Sequence, residues 1–169
     1  MKEEIINRVA KSPLVTIDLE ELYPEGQRTV FDISDWLYEG LILREKDFRE
    51  SVTDHNWNAY QDHYVALTCK TEAIIPSWAY LLITTNLAKF ARKVVVGSLE
   101  LLETSIFQEI ISNLDEQDYK DKPVIIKGCS DKPIPETAQV QLVEKLLPTA
   151  KTILFGEACS TVPLYKRKK

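Results

Sequence analysis

The chain has 169 residues, 44% hydrophobic and 28% charged, with 5 Gly, 8 Pro and 3 Cys. This length suits one domain burying roughly 70% of its unfolded surface, and the composition excludes wholesale disorder, a collagen-like repeat and a disulfide-dense miniprotein. The net charge of -5 supplies no general basic face for nucleic acid. The acid is concentrated: residues 1–62 carry 14 acidic and 7 basic side chains, residues 63–169 carry 12 and 14.

No apolar run approaches the ~20 residues that span a bilayer. Ile5, Ile6 and Val9 follow a charged start and form a short amphipathic segment, not the apolar stretch of a signal peptide. Residues 14–19 alternate apolar and polar positions with β-branching and read as a strand. Pro24-Glu25-Gly26 breaks it, and residues 29–33 read as a second short strand. Ser34 suits a helical turn that Gly40 ends. Residues 44–53 are helix-like, and a polar, aromatic run follows over residues 54–63.

From residue 64 strands and helices alternate. Strands are expected at 64–69, 93–97, 123–128 and 152–156, and helices at 76–90, 99–113 and 135–147. This order predicts an α/β fold, a single domain with a mostly parallel sheet flanked by helices. The acidic segment 1–62 is expected to pack as an irregular α+β third on a core of residues 63–165, with a basic tail at 166–169. Residues 94–96 and 124–126 are uniformly apolar, as central strands are. Phe90, Ile106, Ile110, Val143 and Leu147 are expected core residues, with Val140 and Leu146 on the same stripe.

All three cysteines recur in one context. Cys69, Cys129 and Cys159 each follow an apolar strand, and each precedes a proline: Pro76, Pro133 with Pro135, and Pro163. Parallel strands of one sheet deliver their carboxyl ends to one edge, the usual binding edge of open α/β sheets. Three thiolates there would repel one another unless a metal compensated them. The pattern therefore predicts zinc or an iron–sulfur cluster held by Cys69, Cys129 and Cys159. His55, backed by Asp54, is the candidate fourth ligand. His63 lies at the opposite end of its strand from Cys69 and reads as structural.

Glu157 and Asp131 stand two residues from Cys159 and Cys129, and are the candidate general acid or base. A turn residue is the plainer role for Asp131. The alternative for the cysteines is packing, since free cysteine behaves as a small buried hydrophobe. The chain is then a non-catalytic protein-interaction module, acting with a protein partner or as a homo-oligomer. The sequence leaves open whether the chain is an enzyme. A cysteine nucleophile without metal ranks last, because no histidine stands convincingly beside any cysteine. GxGxxG, P-loop, GxSxG and HExxH motifs are absent.

Three stretches carry a resemblance. They are Tyr64-Val65-Ala66-Leu67-Thr68-Cys69 with residues 73–80, Ile126-Lys127-Gly128-Cys129-Ser130-Asp131, and Gly156-Glu157-Ala158-Cys159 with residues 160–166. With them the whole chain resembles an uncharacterised bacterial family, known mainly from Bacteroidetes and classed as a domain of unknown function. The resemblance implies a small cytoplasmic protein and brings no assigned activity or site. In ligand count alone, the three cysteines also resemble enzymes that hold a cluster with three thiolates and one open iron.

Overall fold

A computed structural model describes residues 13–128, 130–157 and 160–168. The strands are β1 Val15–Ile17, β2 Arg28–Asp32, β3 Tyr64–Thr68, β4 Lys93–Val96, β5 Pro123–Ile126, β6 Thr152–Glu157 and β7 Ser160–Lys166. The α-helices are α1 Glu45–Asp54, α2 Ser77–Leu87, α3 Leu99–Ser112 and α4 Glu136–Leu146. The fold is α/β, and every strand pairing is parallel except the antiparallel β6–β7 pair.

The chain divides into two compact units. One comprises residues 24–106, and the other joins the described residues up to Tyr23 to those from Phe107 onward. In the first, the sheet order is β2-β3-β4. Alternation on β2 buries Phe31, while β3 is buried along most of its length. Phe48 and Val52 of α1 and Ala79, Ile83 and Leu87 of α2 cover this sheet. Pro76 opens α2 at φ -62° and ψ 140°. Its missing N–H costs nothing at a helix start, where that donor has no intrahelical acceptor.

The polar, aromatic run of residues 54–63 is a packing element of this unit. His55, Trp57 and Tyr60 gather around Phe31, with Phe31 and Trp57 stacked at 5.7 Å. Trp57 donates its indole N–H to the Val52 carbonyl at 2.9 Å, which satisfies the one polar atom the ring buries.

In the second unit the sheet order is β1-β5-β6-β7. Ile17, Val124, Ile126 and Ile153 meet Leu142 and Leu146 of α4 in its core. Phe107 and Ile111, from the second half of α3, belong to the same cluster.

Three expectations change. The strands at 64–69, 93–97, 123–128 and 152–156 do not share one sheet. A strand has two edges: β3 gives its edges to β2 and β4, and β5 gives its edges to β1 and β6. The N-terminal third therefore supplies a strand to each sheet instead of packing as a segment on a finished core. β5 is central and buried as expected, whereas β4 is an edge strand with Val96 exposed. The phase of α4 also differs. It buries Ala138, Leu142 and Leu146, leaving Val140 57% and Leu147 38% exposed. In α3, Ile106 is buried as expected and Ile110 is partly so, with Phe107 and Ile111 beside them. Phe90 and Val143 are partly buried against their respective cores.

Candidate functional site at the carboxyl edge of the four-stranded sheet

β1, β5 and β6 run parallel, with Ile17 beside Ile126 and Ile126 beside Phe155. The carboxyl ends of all three lie at the same edge of the sheet. β1 continues into Asp18, whose Oδ1 accepts the Glu20 N–H at 2.9 Å and so turns the chain. β5 continues into Lys127, whose N–H extends the ladder to the Ile17 carbonyl at 2.9 Å. The Lys127 ammonium reaches back to Asp18 Oδ2 at 2.6 Å.

Burial acts to raise the Asp18 pKa. The hydrogen bonds from Lys127 and the Glu20 N–H, with the charges of Lys127 and Lys132, outweigh it and hold the carboxyl below its ordinary value. The Lys127 ammonium is held above its ordinary value, chiefly by Asp18, with Glu157 and Glu20 adding to the field. The edge thus carries one central cation among three carboxylates.

The loop after β5 is fastened to the turn after β1. Glu20 accepts the Asp131 N–H at 3.2 Å, and Lys132 donates to the Glu20 carbonyl at 3.4 Å. Lys132 also stands over the Tyr23 ring at 5.3 Å. Ser130 Oγ accepts the Lys132 N–H at 3.1 Å. Asp131 therefore occupies the tight turn that its Ser130-Asp131-Lys132-Pro133 context suggests. Its carboxylate and that of Glu157 belong to exposed residues.

Cys129 and Cys159 lie outside the described residues. In the chain they follow Gly128 and Ala158, directly beyond β5 and β6. Cys69 follows β3, a strand of the three-stranded sheet, so the premise that all three thiols leave one sheet does not hold. Cys69 is half-buried, packs against the first unit's core, and has its Sγ 3.4 Å from Thr71 Oγ1. His55 sits in the aromatic cluster with Nε2 3.2 Å from the Tyr60 hydroxyl, and burial lowers its pKa. His63 pairs through Nδ1 with Thr29 Oγ1 at 3.1 Å. Among the described residues no group of three or more His, Cys, Asp or Glu side chains is arranged to hold a metal.

Sequence reasoning missed the carboxylate at the end of each first strand. Asp32, the last residue of β2, repeats the role of Asp18: its Oδ1 accepts the Ser34 N–H at 3.0 Å and the Lys70 N–H at 3.2 Å, and its Oδ2 meets Lys70 Nζ at 3.1 Å. The available signal was the shared pattern Ile17-Asp18-Leu19-Glu20 and Phe31-Asp32-Ile33-Ser34. Burial acts to raise the Asp32 pKa, but the Ser34 and Lys70 bonds outweigh it and bring the carboxyl to about 2, from 3.8. A depressed carboxylate stabilises the fold fully above its unfolded value and loses that contribution as pH falls through the folded one. Asp32→Asn should therefore remove part of the stability lost between about pH 4 and pH 2. Urea midpoints across that range test this. An acid slope equal to wild type would refute the linkage.

A family model described as protein of unknown function (DUF2480) matches residues 3–167. No curated protein and no solved structure matches the chain.

Proposed function

The chain belongs to the DUF2480 family, and for it we propose a metal-binding role at the carboxyl edge of the β1-β5-β6-β7 sheet. Cys129 and Cys159 are the thiolate ligands, and zinc or the iron of an iron–sulfur cluster is the metal. The observation that carries this reading is the parallel register of Ile126 with Phe155. Neighbouring strands lie ~4.8 Å apart, and two thiolates on one zinc stand about 3.5–4 Å apart at Zn–S distances of ~2.3 Å. Chains that leave neighbouring strands side by side suit that requirement. Glu157 and Asp131 are two exposed carboxylates of the same edge, suited to complete the ligand set or to move a proton beside it. Lys127 tempers the negative charge that thiolates add. A cytoplasmic, reducing compartment keeps both thiols available.

The second reading, a protein-interaction module with packed cysteines, is favoured by Cys69, which is packed. A groove of about 370 Å³ between α4 and the β6–β7 pair also favours it, lined by Val140, Val143, Phe155 and Leu164. Among the described residues no helix is long and apolar enough to cross a membrane.

Metal content separates the two. Protein purified anaerobically with zinc and iron supplied should carry one of these metals, by elemental mass spectrometry and visible absorbance. Cys129→Ser and Cys159→Ser should each abolish uptake. Wild-type protein that stays metal-free under these conditions rejects the metal-binding reading.

A further inference from the structure

We infer that the two units are copies of one βαβαβ unit repeated within the chain, and that Cys69, a packing residue of the first copy, is no part of a shared thiol site. The second clause rests on the metal-binding reading for its ligand but not for its assignment of Cys69.

The repeat shows in irregular features that a shared fold class does not demand. Asp62 and Asp121, 59 residues apart, have φ of 61° and 59°, a region uncommon outside glycine. Each donates its N–H across the unit at the same spacing, Asp62 to the Phe90 carbonyl at 2.9 Å and Asp121 to the Thr149 carbonyl at 3.0 Å. Arg92 donates to the His63 carbonyl at 2.8 Å, and Lys151 to the Lys122 carbonyl at 2.9 Å. The 3-10 turns Trp57–Tyr60 and Glu116–Tyr119 are displaced by the same 59 residues. So are the prolines that open α2 and α4, with φ, ψ of -62°, 140° and -69°, 141°.

Packing follows the same spacing. Ala79, Ile83 and Leu87 are buried on α2 where Ala138, Leu142 and Leu146 are buried on α4. Phe48 and Phe107, both fully buried, continue it into the preceding helices. Strand register agrees: Val65 faces Val94 as Val124 faces Ile153. Gly97 and Gly156 close the copies at φ 138° and 120°. The spacing holds without a gap from Phe48 and Phe107 to Gly97 and Gly156.

The first strand departs from it. Phe31 pairs with Leu67 and Ile17 pairs with Ile126, so β2 and β1 are equivalents. β1 precedes β2 in the chain, which places the first copy between β1 and the rest of the second.

The spacing also decides which cysteines correspond, and none do. Thr68-Cys69-Lys70 matches Lys127-Gly128-Cys129. In the first copy the cation that neutralises the strand-end carboxylate is Lys70, on Asp32. In the second it is Lys127, on Asp18. The lysine has moved two positions back, and a cysteine stands where Lys70 was. Cys69 corresponds to Gly128, where an added Cβ would lie 3.0 Å from the Phe155 ring. Cys159 belongs to the connection from β6 to β7, and no equivalent of β7 pairs with β4.

Alkylation of the folded, chelator-treated full chain by iodoacetamide, resolved by peptide mass spectrometry, tests the assignment. Cys69 is half-buried against the first unit's core, and that packing restricts access of the reagent, so it should react more than about tenfold slower in the folded chain than in the urea-unfolded one. Cys69→Ser should keep wild-type metal content, while Cys129→Ser, with Cys129→Ala as its second variant, should lose it. Cys69 reacting as fast in the folded as in the unfolded chain, or metal lost in Cys69→Ser, overturns the inference. If no protein binds metal but the alkylation contrast holds, the metal-binding reading falls and the assignment of Cys69 stands. An experimental structure in which residues 57–97 fail to superimpose on residues 116–156 overturns the repeat itself.

Discussion

Arg28→Ala is expected to lower the unfolding free energy by about 3–5 kcal/mol, the usual cost of removing one partner from a buried ion pair. Arg28 Nε lies 2.7 Å from Glu103 Oε1, and the two side chains are 14% and 7% exposed. The guanidinium also donates to the Pro24 and Gly26 carbonyls, both at 2.7 Å, and stands over the Tyr64 ring at 4.7 Å. One planar group thus joins β2 to the first half of α3, to the turn before β2 and to β3. Removing it takes the guanidinium away from a buried carboxylate and a donor away from two carbonyls. Part of the cost should come from keeping the Glu103 carboxylate buried with less compensation than the guanidinium gave it. Changing both residues, Arg28→Met with Glu103→Leu, should therefore restore much of the loss. Urea midpoints of the single and double variants give the comparison. A double variant as unstable as Arg28→Ala would place the cost in packing and carbonyl contacts instead.

Elements were legible in this sequence where the period was strong. β5, flanked by a turn and a proline-opened helix, stands where its apolar run put it. The division into two sheets was not legible. It depends on which edges β3 and β5 give away, and their partners β2 and β1 lie in the acidic stretch that reads as irregular. The Asp32–Lys70 and Asp18–Lys127 pairs were hidden for a related reason: they join residues 38 and 109 positions apart.

The cysteines show the limit most clearly. Their recurrence after strands is real, yet a threefold pattern of Cys then Pro overlays a twofold repeat of the backbone, and the two do not coincide. The prolines at 76 and 135 follow the repeat and the cysteines do not. Positions that a fold needs twice are held by backbone requirements, such as the positive φ of Asp62 and Asp121. The cysteines follow no such spacing: Cys69 falls opposite Gly128, and Cys129 opposite Lys70. The repeat itself is masked in the sequence because its equivalents are mostly similar in kind, as with Ile83 and Leu142, and because its first strands break the spacing.

Helix phase in α4 is the remaining point on which sequence and structure part, and one pair of substitutions decides it. Leu142→Ala should cost about 2–5 kcal/mol, and Leu147→Ala under about 1 kcal/mol. Val140, Val143, Leu146 and Leu147 offer an apolar stripe by spacing alone, but the adjacent leucines leave two phases nearly equal. Pro135 and the alanines break the tie. Ala138 is buried near the start of the helix and Ala150 just beyond its end. Small residues there let the helix approach the sheet closely, and the face they mark runs through Leu142 and Leu146. Leu142 is fully buried among Val124, Ile126 and Ile153, so truncation leaves a cavity that the strands cannot collapse to fill. Leu147, 38% exposed beyond the last turn, has solvent to take its place. Equal shifts in the urea midpoint for the two variants would return the stripe to the phase first read from the sequence.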